Sequence, residues 1–481
     1  MVIDNPIDND TNDIVIIGSG PAGITLANKL KTKFKKIALV EAGERYFSEE
    51  SQKYYHGYID GLFPQSMDKS RLSMFGGTTG HWGGTCRTLD NYDFDNWPIK
   101  KKSISKYQNE ACKILEAKNS FRTENLNNNL NLVEFQQSNT YFPEKYYSEI
   151  ENSKNVNLYL ECPVIEIIGD NYLTRKVKCF DKRKKKYFYL NSKIFIIATG
   201  GIENSRILLL EKKRNKNLFD SNIPIGNFWY EHPAKLLGSA FVNPEKLKQK
   251  LNTTLNNFGP RFDSGSGENY SFAPTYNLIQ NKKILNSCCW LVIHKRKEGT
   301  WKKYLKDFMC IAPNLSKSAV KFFDKKLFCG ASIISSWEQD PEFENKIELS
   351  SKTDEFDNNL AVLKYNKSEL VRKTARVMFE KIGEFLIEED LGRLVGENFL
   401  FDKKEEYLSD AGWHHMGGTI MGNDPKKSVV DSNLKVHGSK NIFVIGSSVF
   451  PTGGHANPTL TITQLSLRLG DYLINNKNKI I

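Results

Sequence analysis

The chain has 481 residues, with 68 Lys and Arg against 56 Asp and Glu, which gives a formal net charge of +12. Hydrophobic residues make up 39% of the sequence, enough for a sizeable core, so a chain that is disordered throughout is excluded. No apolar run approaches the roughly 18–20 residues that a membrane-spanning helix needs. The length leaves room for two domains.

The positive charge and the cysteines point to no special class of protein. Short basic runs at 100–102 and 182–186 come without a nucleic-acid-binding motif, so we interpret them as solvated surface. The eight cysteines include no C-x-x-C pair, so neither a zinc site nor a thioredoxin-type motif is suggested, and no metal site is expected. Residues 1–12 lack the features of a secretory signal, and we therefore expect a cytoplasmic protein with reduced thiols.

The first predicted elements are a strand, a glycine-rich turn and a helix. The β-branched run 13–17 leads directly into Gly18, Gly20 and Gly23, spaced as G-x-G-x-x-G, and an apolar helical pattern over 24–30 follows. In such a unit the first glycine allows a tight turn, the second lets the backbone approach a pyrophosphate, and the third lets the helix pack on the strand. The helix N-terminus adds amide donors for the phosphates.

A second strand, 37–40, ends at Glu41. A carboxylate at this position can accept hydrogen bonds from ribose hydroxyls. Strand, turn, helix, strand and acid together predict a bound dinucleotide, but this pattern does not distinguish FAD from NAD.

Further along the chain, periodicity predicts a series of elements whose order suggests an α/β nucleotide domain built from both ends of the chain, with a mostly antiparallel sheet inserted between them. In chain order these are a helix over 103–117, strands over 156–160 and 164–168, a hairpin of 177–180 with 187–190, a strand over 193–198, a helix up to 210, strands over 239–242, 289–293, 331–337, 346–349 and 360–365, a helix over 368–387, a strand over 442–445 and a helix over 460–475.

Two segments have the composition of reactive loops. The loop 75–85 holds Gly77, Thr78, His81 and Trp82 among five glycines, and so much bare backbone suits contact with a flat ring system.

The second segment carries His414 and His415, and about forty residues later a glycine-flanked loop carries His455 and Asn457. A histidine can take a proton near neutral pH, and an asparagine can hold a hydroxyl oxygen without ionising.

These motifs, in this order, resemble the glucose–methanol–choline (GMC) oxidoreductases, which are FAD-dependent alcohol oxidases and dehydrogenases. The resemblance covers nearly the whole chain, and residues 241–330 match no part of it. The matching segments are 13–43, 76–84, 96–99, 198–204, 226–233, 338–341 with Asp354, and 429–458.

The resemblance implies roles for four residues of the second segment. His415 occupies the position of the base in the spacing H-x-x-G-T, and Asn457, in an Asn-Pro pair, is the second active-site residue. His414 is expected to support at most, and His455 is the less favoured rival of Asn457. The implied reaction removes a hydroxyl proton to His415 and transfers a hydride to flavin N5.

The resemblance also implies which residues bind FAD. They are Gly18, Gly20, Gly23, Glu41, Gly77, Thr78, His81, Trp82, Val164, Gly446 and Asn457. A covalent flavin link through His81, which some relatives make, is not the favoured expectation. Gly446 departs from the family, because many members have Asp there, and only its backbone can contact the flavin phosphates.

The expected fold is therefore α/β, with a Rossmann-like FAD-binding domain over 12–100, 156–235 and 412–478. A substrate-binding domain with a mostly antiparallel sheet and flanking helices is expected over 101–155 and 236–411. The expected substrate is a small-molecule alcohol, such as a sugar, amino sugar or polyol, and no nucleic-acid partner or membrane span is expected. The electron acceptor stays open between oxygen, a quinone and a redox partner. An FAD-containing lyase and an NAD-dependent dehydrogenase stay open as alternatives.

Overall fold

The structure is a computed structural model, and it describes residues 1–61, 63, 65–252, 268–293, 331–340, 344–366, 368–405 and 410–480. Pro341 of the matching segment 338–341 lies outside the described residues, as do 253–267 and 294–330 of the unmatched region. Among the residues that the structure describes, none of the helices is both long enough and apolar enough to cross a membrane.

The first sheet contains both ends of the chain. In spatial order its strands are Val156–Tyr159, Ile37–Val40, Asp10–Ile17, Lys186–Ile197, Leu173–Asp181 and Val164–Asp170, and Ile442–Val444 also pairs with Lys186–Ile197. The strands on either side of Asp10–Ile17 and the C-terminal strand run parallel to it, whereas Leu173–Asp181 is antiparallel to both of its neighbours. The side chains of Ile14, Val15 and Ile16 are fully buried, as expected where helices and loops cover both faces of a parallel sheet.

Three helices accompany this sheet and begin near the carboxyl ends of its strands. They are Pro21–Leu30, Glu203–Arg214 and Pro458–Asn475. The first and last pack closely together, since a Cβ at Gly470 would lie 2.6 Å from Lys29 Cγ. The two ends of the chain thus build one layer of sheet and helices, as the sequence predicts.

The second sheet is antiparallel throughout its described strands, in agreement with the prediction. Its strands are, in spatial order, Gly392–Gly396, Pro233–Val242, Ala331–Trp337, Ser287–Ile293, Glu268–Pro274, Leu130–Gln137 and Thr85–Cys86, with Asp410–Ala411 and Thr123–Asn125 on the sides. The long helix Glu369–Glu388 buries its apolar face against this sheet, where Phe385 meets Phe272 with ring centroids 6.0 Å apart.

A third, small sheet joins Lys346–Thr353, Asn359–Tyr365 and Gly57–Gly61. In Asn359–Tyr365 the side chains of Ala361, Leu363 and Tyr365 are buried at alternate positions, which is the period-2 pattern of a half-buried strand. The sequence pattern does not predict Gly57–Gly61, because a five-residue strand with glycine at each end gives almost no periodic signal.

The helix predicted over 103–117 is in fact two helices, Lys102–Ser105 and Gln108–Ile114. Tyr107 between them is buried, and its hydroxyl donates to Asp471 at 2.8 Å, so a tertiary contact interrupts the helical pattern. The other described helices are Glu49–Gln52, Phe142–Lys145, Tyr147–Glu151, Pro244–Leu251, Tyr276–Lys282 and Lys477–Ile480, and the 3₁₀ turns are Lys53–Tyr55, Gly77–Gly80, Tyr92–Phe94, Asn398–Leu400 and Ser447–Val449. The domain boundaries stay a prediction.

Candidate active site

A cavity of about 580 Å³ lies where four parts of the chain meet. They are the first glycine turn at 18–22, the loop 77–85, a second glycine turn at 199–201, and the C-terminal loops at 412–415, 446–447 and 457–459. Every residue predicted to bind the cofactor or react lines this cavity, except Gly23. The predicted residues that line it are Gly18, Gly20, Glu41, Gly77, Thr78, His81, Trp82, Val164, His415, Gly446 and Asn457.

The three glycines of the first turn have three different environments. Gly18 has a φ of +102°, and a Cβ there would lie 2.5 Å from the Ala198 carbonyl oxygen. At Gly23 a Cβ would lie 2.0 Å from the Gly18 oxygen, whereas at Gly20 it would meet nothing within 4 Å. Two glycines therefore pack backbone against backbone and the middle one leaves open space on the cavity side. That division is what a pyrophosphate-binding turn needs.

Glu41 is held beside this turn by hydrogen bonds to the backbone. Its Oε2 accepts from the Ser19 amide at 3.0 Å and the Ser19 hydroxyl at 2.8 Å, and its Oε1 accepts from the Gly43 amide at 2.9 Å. Burial raises the pKa of the carboxyl, and the backbone donors oppose that rise. The carboxylate is thus oriented before any ligand arrives.

The glycine-rich loop lies directly on the first turn. A Cβ at Gly77 would come within 3.0 Å of Gly20 Cα, so only bare backbone permits this approach. The indole of Trp82 donates to the Thr140 carbonyl at 3.1 Å, which fixes its ring at the cavity wall. The His81 ring is exposed and lies 5.4 Å from the Trp413 ring.

The second glycine turn lies between the first glycine turn and the histidine segment. At Gly201 a Cβ would lie 2.1 Å from the His415 carbonyl oxygen, so the backbone of this turn packs directly against the backbone of the histidine segment. Asn204 accepts from the Thr199 amide at 2.8 Å and donates to the Ile445 carbonyl at 3.1 Å. One buried side chain therefore links the second turn to the C-terminal strand.

The two adjacent histidines contact different partners. His414 Nε2 lies 3.1 Å from Asn457 Nδ2, and its Nδ1 lies 3.0 Å from His232 Nδ1. His415 Nε2 lies 2.8 Å from the Ser70 hydroxyl oxygen. The structure thus brings Asn457 together with His414 and not with His415, and His414 and Asn457 are both half-buried on the cavity wall.

Burial keeps both histidines neutral near pH 7. It lowers the pKa of His414 to about 4. It lowers the pKa of His415 to about 3, with further contributions from the Arg71 guanidinium and from His414. Either imidazole is therefore available as a proton acceptor.

His455, the rival of Asn457, lies in a different environment. It is buried, does not line the cavity, and contacts Arg87 Nε at 3.2 Å and Asn286 Oδ1 at 2.8 Å. The sequence interpretation gave no site role to His232 and Ser70, which contact the paired histidines. His232 stands in the matched segment 226–233, and Ser70 gives no signal in the sequence.

The cavity fits a dinucleotide with a flat ring. Open space follows the backbone at Gly20, Gly83 and Gly200, where a Cβ would meet nothing within 4 Å. Gly20 also precedes the helix Pro21–Leu30 without a side-chain cap, which leaves the helix amides free for phosphate oxygens. Within the described ranges, no group of three or more His, Cys, Asp or Glu side chains is arranged to hold a metal ion.

Comparison with protein families gives two matches that follow one another along the chain. The pyridine nucleotide-disulphide oxidoreductase family matches residues 12–223, which include the first turn and Glu41. The GMC oxidoreductase family matches residues 341–466, which include the paired histidines and Asn457. These two matches together support assignment to the GMC oxidoreductases. They also support FAD as the dinucleotide that the first glycine turn predicts.

The chain matches its curated relatives over part of their length. The large subunit of fructose dehydrogenase from Gluconobacter japonicus is 25% identical over 59% of this chain and 48% of that protein. A 6'''-hydroxyparomomycin C oxidase from Streptomyces lividus is 30% identical over 27% of this chain and 22% of that protein. The matched part is thus less than half of either relative.

Formate oxidase from Aspergillus oryzae resembles the whole structure. The similarity covers 99% of this chain and 100% of that one, with a TM-score of 0.59 and 14% sequence identity. At this identity the likeness concerns the fold alone.

Proposed function

We propose that this GMC oxidoreductase oxidises the CH–OH group of a small alcohol and that a sugar, amino sugar or polyol is its substrate class. Bound FAD supplies the hydride acceptor. The observation that carries the proposal is the half-buried pair of His414 and Asn457, which lines the cofactor cavity with a basic imidazole nitrogen and an amide side by side. The names of the sugar and aminoglycoside relatives support the substrate class.

In this proposal His414 takes the hydroxyl proton and Asn457 orients the hydroxyl oxygen. An amide nitrogen can only donate, so His414 Nε2, which lies 3.1 Å from Asn457 Nδ2, carries its lone pair on that side. A substrate hydroxyl that displaces this amide N–H from Nε2 would meet a proton acceptor and a neutral hydrogen-bond donor together. Since Asn457 does not ionise, it can hold the oxygen at every pH.

His415, the base that the H-x-x-G-T spacing predicts, stays the competing assignment. Two observations favour His414 over it. His415 is buried, with only 6% of its surface exposed, whereas His414 is half-buried on the cavity wall. The Nε2 of His415 contacts the Ser70 hydroxyl, whereas the Nε2 of His414 contacts the amide of Asn457. The neutral state of His415 would nevertheless allow it to act as a base.

The proposal is tested by mixing FAD-loaded protein with candidate alcohols in the absence of oxygen and recording flavin absorbance. We expect bleaching by at least one sugar, amino sugar or polyol, and no bleaching by the same compound with the reacting hydroxyl methylated. Failure of every alcohol to bleach the flavin would contradict the proposal. If a compound is instead cleaved while the flavin stays oxidised, the enzyme is a lyase.

A further inference from the structure

His232 lies directly behind His414, outside the cavity. It is 1% exposed and immediately precedes the strand Pro233–Val242. The two rings meet edge to face, with an interplanar angle of 89° and centroids 5.1 Å apart. The closest polar contact joins the two Nδ1 atoms at 3.0 Å.

Backbone hydrogen bonds fix the two histidine segments relative to each other. The Tyr230 amide donates to the Met416 carbonyl at 3.0 Å, and the Met416 amide donates to the Tyr230 carbonyl at 2.9 Å. The Gly412 amide donates to the His232 carbonyl at 3.0 Å. The contact between the rings is therefore built into the strand pairing and does not depend on side-chain rotation alone.

The order of donors and acceptors determines the tautomer of both rings. Asn457 Nδ2 donates to His414 Nε2, so a neutral His414 must carry its proton on Nδ1. That N–H then donates to His232 Nδ1, which must accept. His232 can accept because it is neutral, since burial lowers its pKa well below the ordinary value.

We propose that His232 is a positioning residue that holds the His414 imidazole in the tautomer whose Nε2 carries the lone pair, which accepts the substrate proton once the substrate hydroxyl displaces the Asn457 amide N–H from it. This inference rests on the proposed function, with His414 as the base. In this reaction the substrate O–H bond would break and an N–H bond would form at His414 Nε2, and bound FAD would supply the acceptor for the hydride and its electron pair. The Nδ1–H bond of His414 is kept throughout and stays directed at His232.

Two variants of equal size separate this role from simple packing. In His232→Asn the side-chain oxygen can occupy the place of Nδ1 and accept the same hydrogen bond, whereas in His232→Leu nothing can accept it. We expect His232→Leu to slow flavin reduction on the order of 10–100-fold, because an orienting partner of a reactive histidine is typically worth that much. We expect His232→Asn to stay within about threefold of the wild-type rate, and both to retain FAD.

A double variant tests whether His232 acts through His414. If it does, adding His232→Leu to His414→Ala should slow reduction no further, since residues that act as a unit are not additive. An equal slowing by His232→Leu in both backgrounds would overturn the inference and leave a purely structural role.

A spectroscopic measurement is independent of turnover. The chain has eight histidines, so ¹⁵N-histidine NMR of the holoprotein is tractable, and the His414 signals are those lost in His414→Ala. We expect the Nδ1–H tautomer of His414 in the wild type and in His232→Asn, and a mixture of tautomers in His232→Leu. An unchanged tautomer in His232→Leu would contradict the inference.

Failure of the proposed function and failure of the inference about His232 would give different results. If no alcohol reduces the wild-type flavin, the proposed function fails, while the NMR measurement still tests the contact. If the wild type is reduced and His415→Ala proves the slow variant instead of His414→Ala, the function stands and the inference about His232 is overturned.

Discussion

The side of the cavity proposed to bind the cofactor (the cofactor side) and the side proposed to carry the reaction (the reaction side) are built in different ways. On the cofactor side, Gly18, Gly20 and Glu41 lie within one stretch of 24 residues and act mainly through bare backbone and fixed amides. On the reaction side, His232, His414 and Asn457 come from three distant segments and act through side-chain contacts. An added atom should therefore disrupt the cofactor side, whereas a lost hydrogen-bond donor or acceptor should disrupt the reaction side.

The largest expected effect lies on the reaction side. We expect His414→Ala to slow anaerobic flavin reduction on the order of 10²–10⁴, the usual worth of a positioned acid–base group. His415→Ala should be clearly milder, because it removes a contact to Ser70 and none to Asn457. Stopped-flow absorbance at equal flavin content measures both. A larger loss in His415→Ala would restore the assignment that the H-x-x-G-T spacing predicts.

On the cofactor side, Gly20→Ala should fold normally and bind FAD more weakly. A Cβ there meets nothing within 4 Å in the protein itself, so the added methyl would intrude only on the bound pyrophosphate. Overpacking by one methyl group costs about 1–3 kcal/mol, which is roughly a five- to 150-fold loss of affinity. FAD titration by fluorescence, with a melting temperature, measures the two effects separately.

The matched control is Gly383→Ala in the long helix, where the new Cβ would meet only Leu394 at 3.8 Å. FAD affinity should be unchanged, and the melting temperature should stay equal or rise because alanine favours a helix. Normal FAD affinity in Gly20→Ala would show that the pyrophosphate does not approach this turn.

A smaller effect is expected for Glu41→Gln. An amide has one accepting oxygen, so either the Ser19 amide or the Gly43 amide loses its partner. A buried donor without a partner costs roughly 1–3 kcal/mol, and part of that cost should appear as weaker FAD retention. The reduction rate per bound flavin should be unchanged, and a fall in that rate at full occupancy would contradict the separation of the two sides.

The smallest expected effect is a flat pH profile. The neutral imidazole is the base, so the rate is retained above the pKa of His414 and lost as pH falls through it. Because burial lowers that pKa to about 4, reduction per bound flavin should stay constant from pH 8 down to about pH 5.5. An ordinary histidine, with a pKa near 6.5, would leave about one tenth of the rate at pH 5.5. A fall of that size would indicate that the substrate-facing histidine is not buried.

The sequence by itself determined the cofactor side. The glycine spacing, the strand before it and the acid after it are contiguous, and local backbone sterics force the same turn wherever they occur. The antiparallel second sheet and the long helix Glu369–Glu388 were likewise predictable, because alternate and helical burial leave periodic patterns in the chain.

Only the tertiary structure decided which histidine meets Asn457. His414 and His415 are adjacent, but His414 contacts His232 and Asn457 whereas His415 contacts Ser70, so a shift of one position exchanges their surroundings. The bridge between Tyr230 and Met416 fixes this arrangement, and the residue before the pair, Trp413, has a φ of +58° that no motif predicts. The bridge joins segments about 180 residues apart. The spacing of residues within the histidine segment therefore could not reveal which residue contacts either ring.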